Sequence, residues 1–149
     1  MRPFARTCLL LLMMATTGAG TPSGTVVNDS AALQRLYTNS GVTLHYISFE
    51  TPGRGQLDVR LANGFVHLKG MHRAIGEPGL LTIEGDVLAI DARSFTFRGR
   101  IVIADTPDPG RRCIRDGVFH FRQTGVRRYW RMQEMERCDG LTDYVDIFL

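Results

Sequence analysis

From Val42 onward, apolar and polar residues alternate in short runs separated by turn residues, and a period of two in such runs marks half-buried strands. Val42, Leu44 and Tyr46 share one parity, and the turn Thr-Pro-Gly-Arg-Gly follows at 51–55. Leu57, Val59 and Leu61 then alternate with Asp58 and Arg60. After Asn63-Gly64, Val66, Leu68 and Gly70 alternate with His67 and Lys69. Asn-Gly between alternating runs is a preferred two-residue hairpin turn, because both residues tolerate positive φ. The turn sets a register: Leu61 faces Val66, Val59 faces Leu68, and Asp58 faces Lys69 on the opposite, charged side. His72 shares the parity of the apolar side.

The alternation continues through Leu81 and Ile83 to Glu84-Gly85-Asp86, where a bend or bulge is expected, and on through Val87–Ile90. Phe95, Phe97, Ile101 and Ile103 form another apolar face, ended by the loop Asp105–Gly110. The last third predicts strands at Val118–Gln123, Val126–Gln133 and Tyr144–Leu149. A turn at Thr124-Gly125 would set Phe119 against Trp130, His120 against Tyr129 and Phe121 against Arg128. Before Val42 the period is helical: Leu33, Leu36 and Tyr37 line one face of a short helix, with Asn28, Asp29 and Ser30 as candidate N-caps. About eight short strands with one minor N-terminal helix predict a mainly β domain. The expected form is a small closed or partly closed antiparallel barrel or β-roll, with a two-sheet sandwich as the alternative.

Domain organisation follows from the ends. Arg2 and Arg6 precede an apolar run from Cys8 to Ala15 and a small-residue stretch to Gly20. That run is shorter than the ~20 residues a bilayer span needs, and the pattern is that of a cleavable secretory signal. The chain therefore reads as a signal peptide over 1–20, a flexible leader over 21–28 and a single β domain over 29–149. Cys8 precedes the apolar run, which argues against lipidation. Its removal with the signal leaves Cys113 and Cys138 as a pair suited to an oxidising compartment. In the expected hairpin register Cys113 falls opposite Glu136, two residues from Cys138, and a loop of this length contributes roughly 3–4 kcal/mol when closed.

Composition narrows the function little. The net charge of +3 falls close to neutrality without Arg2 and Arg6, so it names no partner. The one anomaly is the segment 111–137, rich in arginine and interleaved with aromatics. Arg122, Arg127, Arg128, Tyr129, Trp130 and Arg131 form a candidate binding face for an anionic lipid or glycan, since guanidinium groups bind phosphate and carboxylate and stack on rings. The plainer alternative is a solvated strand face. Arg128 lies with the apolar set, either as a buried partner of Asp143 or Asp146 or at a sheet rim. His45, His67, His72 and His120 show no metal-ligand spacing, and no nucleophile elbow occurs, so neither metal nor cofactor is expected. Glu84/Asp86 and Asp143/Asp146 are the carboxylate pairs available for acid–base work. An alternating C-terminal strand ending at Leu149 resembles those of outer-membrane barrels, but the strands are too short and too charged for a lipid-facing wall.

The stretch Gly117-Val118-Phe119-His120-Phe121, continuing through Arg128-Tyr129-Trp130-Arg131-Met132-Gln133 to Cys138 and Asp143-Tyr144-Val145-Asp146-Ile147, resembles small exported bacterial β-proteins of uncharacterised activity. The resemblance implies export and brings no activity with it. These observations predict a non-catalytic binding or accessory module of the bacterial cell envelope, periplasmic or secreted. Its ligand would be an anionic lipid or glycan, a small apolar molecule in the barrel mouth, or a protein partner paired through the terminal strand. No nucleic acid and no transmembrane span are expected. The competing reading is an enzyme whose histidines and carboxylates meet only in three dimensions. The intact mass of exported, non-reduced protein is expected to show cleavage near Ala19 or Gly20 and no free thiol; two alkylatable thiols would contradict the Cys113–Cys138 pairing.

Overall fold

The computed structural model describes residues 20–136 and 138–149, so the expected signal segment lies, apart from Gly20, outside the described residues. Seven strands run as an antiparallel meander: β3 (Gln56–Ala62), β4 (Phe65–Arg73), β5 (Leu80–Ile90), β6 (Ser94–Ala104), β7 (Arg112–Arg122), β8 (Tyr129–Met132) and β9 (Val145–Phe148). The earlier strand β2 (Val42–Leu44) pairs with β9 at the far end, giving the order β2-β9-β8-β7-β6-β5-β4-β3. The result is a nearly closed barrel of eight antiparallel strands, as the alternation predicts, and not a two-sheet sandwich.

Closure depends on a short seam. Val42 and Gly55, just ahead of β3, exchange hydrogen bonds in both directions: Val42 N–H to the Gly55 carbonyl at 3.1 Å and Gly55 N–H to the Val42 carbonyl at 2.8 Å. One step along, the Leu44 N–H donates to Nδ1 of buried His72 at 3.1 Å, so a side chain from β4 completes what the backbone ladder leaves open. Gly55 is required for this approach. A Cβ there would sit 2.1 Å from the Met71 carbonyl oxygen and 2.6 Å from the His72 Cα.

Two helices close the ends. α1 (Ser30–Tyr37) starts at Asp29, whose carboxylate accepts from the Ala32 N–H at 2.7 Å, and buries Ala32 and Leu36. Arg35 reaches the Ala92 carbonyl in the β5–β6 turn, which places α1 at that end of the barrel. The second helix, α2 (His45–Glu50), corrects the expectation of one helix and of a strand through Tyr46. Six residues hold too few periods to separate a helical from an alternating pattern. Ile47 is buried at the opposite end, beside Gly79 and Thr106. Residues 26–27, expected within the leader, form β1 (Val26–Val27), parallel to β5 at Ala89–Ile90, and Thr25 Oγ1 donates to the Val87 carbonyl at 2.6 Å.

The β3–β4 hairpin has the register read from Asn63-Gly64, with Leu61 opposite Val66 and Asp58 opposite Lys69. The β7–β8 register is different: Phe121 faces Met132 and Arg122 faces Arg131. Setting Phe121 against Met132 keeps the inner wall apolar and moves Arg128 off the strand into a longer connection. The ladder also stops well short of Cys113. The irregularity in β5 falls between Val87 and Ala89, beyond the expected 84–86, and Gly85 stays paired with Gly99.

Inside, Phe95 and Phe121 stack with centroids 4.8 Å apart, Trp130 meets Phe95 edge-on at 5.5 Å, and Leu68, Ile83 and Ile101 are fully buried. The interior thus holds a core of aromatic and aliphatic side chains. Outside, a row of opposite charges runs in register across five strands: Asp58, Lys69, Glu84, Arg100 and Asp116. Replacing Gly55 by Ala is expected to destabilise the fold by more than about 2 kcal/mol and to speed amide exchange at Val42 and Leu44. Thermal unfolding with hydrogen exchange read by NMR checks both.

Candidate functional site

The predicted arginine–aromatic face does not assemble as one surface. Trp130 is fully buried in the core, with its indole N–H unmatched among the described residues. Arg131 is consumed internally: Nε and Nη2 each lie 2.7 Å from the Asp146 carboxylate, and its guanidinium sits 4.1 Å from the Tyr144 ring centroid and 5.1 Å from that of Tyr129. Arg122, Arg127 and Arg128 are exposed, with Arg127 beside the half-buried Tyr129 ring at 5.8 Å. Arg128 is therefore neither buried nor the partner of Asp143 or Asp146.

That partner is Arg111, a residue the sequence left unmarked beyond its place in the arginine-rich segment. Its Nη1 and Nη2 lie 2.9 and 3.0 Å from the two carboxylate oxygens of fully buried Asp143, while Nε and Nη2 reach Asp139 at 3.2 and 3.1 Å. Burial alone would lower the Arg111 pKa, but hydrogen bonds to Asp143 and Asp139 outweigh it and raise it. Cys113 and Cys138 are joined next to this cluster, S–S 2.02 Å and Cα–Cα 5.9 Å. Disulfide and ion pair together pin the 105–111 and 139–143 loops.

The four histidines are held apart in separate roles. His67 Nδ1 lies 2.8 Å from Asp86, with Glu84 3.7 Å from Nε2, so both ring nitrogens have acidic neighbours on the outer wall. His120 Nδ1 contacts Glu134 at 2.6 Å, and the His120 backbone N–H donates to the other Glu134 oxygen at 2.9 Å. Burial would raise the Glu134 pKa, but these hydrogen bonds hold it below the usual carboxylate range. His45 and His72 serve the backbone: His45 Nδ1 accepts from the Tyr144 N–H at 3.2 Å, and His72 accepts from Leu44 at the seam. Among the described residues, no group of three or more histidine, cysteine or acidic side chains is placed to hold a metal.

A cleft of about 750 Å³ lies outside the barrel wall, where the segment 51–56 between α2 and β3 folds beside the outer faces of β4, β5 and β6. Pro52, Met71 and Ile75 supply its apolar part, and Ile75 is 79% exposed. Lys69, Arg100, Arg54 and Arg73 border it, against Asp58 and Glu84. Lys69 pairs with Glu84 at 3.3 Å and Arg100 with Asp116 at 2.7 Å, whereas Arg54 lies over the Phe148 ring and Arg73 along the Met71 thioether. Among the described residues neither Arg54 nor Arg73 has a carboxylate partner. The sequence signal for this cleft is Met71, an apolar residue on the charged parity of β4 between Lys69 and Arg73.

The terminal strand is not an edge. β9 lies between β2 and β8, with Val145, Asp146 and Ile147 buried, which overturns pairing of a partner through residues 144–149. No helix among the described residues is long and apolar enough to cross a membrane.

The family model described as the PM1083 family matches residues 24–149. The "Uncharacterized protein PM1083" of Pasteurella multocida (strain Pm70) is 37% identical over 107 residues, covering 70% of this chain and 67% of that protein. No solved structure matches.

Burial lowers the pKa of His72 below the ordinary histidine value of 6.5, and that of His45 likewise, outweighing the nearby Asp143 carboxylate. The unfolded chain therefore binds these protons first. The stability carried by the two neutral rings is complete above pH 6.5 and is lost as pH falls through their lowered folded values. The melting temperature is expected to drop as pH falls below 6.5. His72→Asn, which retains an acceptor for Leu44 without titrating, is expected to flatten that slope.

Proposed function

The chain belongs to the PM1083 family, and we propose that it is an exported, non-catalytic binding module of the bacterial cell envelope. Its proposed ligand is a small amphiphile with an apolar body and an anionic head group. One observation carries this reading: the cleft is lined by Met71, Ile75 and Pro52 together with Arg73, whose guanidinium lies along the Met71 thioether, and Arg54. Apolar surface with a few convergent polar groups, in a volume of about 300–1,000 Å³, is the common form of a small-ligand site. A buried chain would gain from covering Met71 and Ile75, and a carboxylate or phosphate would find arginines that have no acidic partner among the described residues. Export accords with a cysteine pair at disulfide distance, which an oxidising compartment preserves. Arg127 and Arg128, on the connection before β8, lie outside this cleft and have no part in the reading.

Titration of the mature protein with dansylated undecanoate is expected to give saturable binding that weakens as salt is raised. Met71→Glu and Arg73→Glu should each weaken it at least about tenfold, or about 1.4 kcal/mol, with little change in melting temperature. The double variant Arg127→Glu/Arg128→Glu should bind like the parent. Failure to bind the probe, or loss of binding only in the Arg127/Arg128 variant, would overturn the assignment to the cleft.

A further inference from the structure

The connection 123–128 between β7 and β8 presents Val126, which is 99% exposed. A β-branched aliphatic side chain has none of the turn chemistry that Gly, Asn or Asp supplies, so local geometry does not account for it there. The loop is braced from the β5–β6 turn. Arg93 donates from Nε to the Gln123 carbonyl at 3.4 Å and from Nη2 to the Gly125 carbonyl, and Gln123 Nε2 donates to the Arg127 carbonyl at 2.6 Å. Cations surround the valine. Arg127 and Arg128 follow it directly, Arg122 ends β7 just before the loop, and all three are exposed. Every Asp and Glu of the chain is a described residue, and none lies within ion-pair distance of these three arginines. Arg93 and Arg35 stand at the same end and bind backbone carbonyls, which fixes a guanidinium without cancelling its charge. The acids nearby are engaged: Asp29 caps α1, Asp91 accepts from Asn28 at 2.9 Å, and Asp146 holds Arg131. The opposite end of the barrel instead bears a hollow lined by Glu50, Glu77 and Asp105.

We propose that the 123–128 tip docks the protein reversibly on the surface of an anionic phospholipid bilayer. Arg122, Arg127 and Arg128 meet headgroup phosphates, and Val126 enters the boundary between headgroups and acyl chains. Guanidinium groups suit phosphate oxygens, and each arginine near an anionic leaflet raises partitioning roughly fivefold. Val126 decides between anionic partners. A hydrated polyanion, such as a phosphorylated glycan, gains from the arginines alone, whereas a bilayer also takes up the apolar side chain. The acidic hollow at the far end is repelled by the same surface, so the charge distribution selects which end approaches. One aliphatic residue and three cations fall far short of a spanning segment, which makes the attachment reversible. This surface lies apart from the 51–56 cleft and does not depend on what that cleft binds.

Co-sedimentation of the mature protein with vesicles tests the proposal, using phosphatidylcholine alone or with about a third phosphatidylglycerol. Partitioning is expected to be at least about tenfold stronger to the anionic vesicles and to weaken as salt is raised. Arg127→Glu/Arg128→Glu should lower it at least about tenfold. Val126→Ser, which leaves the charge unchanged, should lower it about threefold, and Val126→Trp should raise it by at least as much. The emission of the Val126→Trp variant should shift to the blue with anionic vesicles only, over a constant background from buried Trp130. All these positions are exposed, so melting temperatures close to the parent's are expected and identify variants that fold. Absence of binding, or equal binding to both kinds of vesicle, would overturn the proposal. So would binding indifferent to Val126 and matched by soluble polyphosphate, which would make the tip a general polyanion patch. Binding of dansylated undecanoate, read on the same Arg127→Glu/Arg128→Glu protein, reports on the cleft alone, so either assignment can fail without the other.

Discussion

The barrel depends on one narrow seam. Seven strands form a meander that needs only short connections, but its two ends, β3 and β9, do not meet directly. The three residues of β2 bridge them, pairing with β9 along their length and with the β3 side through Val42 and Gly55. The His72 imidazole extends that seam by one acceptor for Leu44. Two constraints follow from so short a contact. Position 55 has to be glycine, because any side chain would strike the Met71 carbonyl. His72 has to remain neutral, because a protonated ring has no lone pair to offer the Leu44 N–H. The same logic recurs where His45 accepts from Tyr144, so the β2–α2 junction at Leu44 and His45 is held by two neutral histidines.

Closing the barrel around an aromatic core buries the large apolar side chains inside and leaves the charged residues to the outer wall. There the cross-strand charges are mostly satisfied by their neighbours: Lys69 by Glu84, Arg100 by Asp116, and Arg131 by Asp146. Exposed ion pairs such as the first two add little stability individually. Their value lies in register, since a slip of one residue would turn every charge inward. What remains unmatched on that wall is then informative. Met71 and Ile75 with two arginines stand at one place, and the exposed side chains of Ile114 and Val118 at another.

How much of this was legible in the sequence depended on how many independent signals coincided. The β3–β4 hairpin could be read to the residue because turn chemistry, apolar alternation and an opposite-charge pair agreed on one register. The β7–β8 hairpin had only Thr124-Gly125 to fix it. A tight turn there predicts Phe121 opposite Arg128, whereas a wider connection sets Met132 there, and only the packing of the core decides. α2 was unreadable for lack of length. The Arg111–Asp143 pair joins residues 32 apart through two loops, and no periodicity relates them. Of the predicted binding residues, Trp130 was drawn inward by the same aromatic character that suggested a face. The cleft and the outer face of β7 do leave traces, because Met71, Ile114 and Val118 are exposed apolar residues on parities otherwise occupied by charge.

β7 pairs with β8 only at Phe121 and Arg122, and beyond that pair the chain after β8 is tied back to Cys113 by the disulfide. An exposed strand edge is an invitation to aggregate, and natural sheets blunt edges with charges, inward-pointing charged residues and irregular backbone. β7 carries several of these devices together. Asp116 stands at its centre, Arg115 points inward and reaches the Glu134 carbonyl, Gly117 interrupts the side-chain face, and Glu134 caps the last free N–H. The disulfide contributes by holding the chain after β8 to Cys113, which tethers it close to the edge without zipping it shut. A carboxylate at the centre of the outer face repels an identical strand, so charge and irregular backbone together guard this part of the sheet.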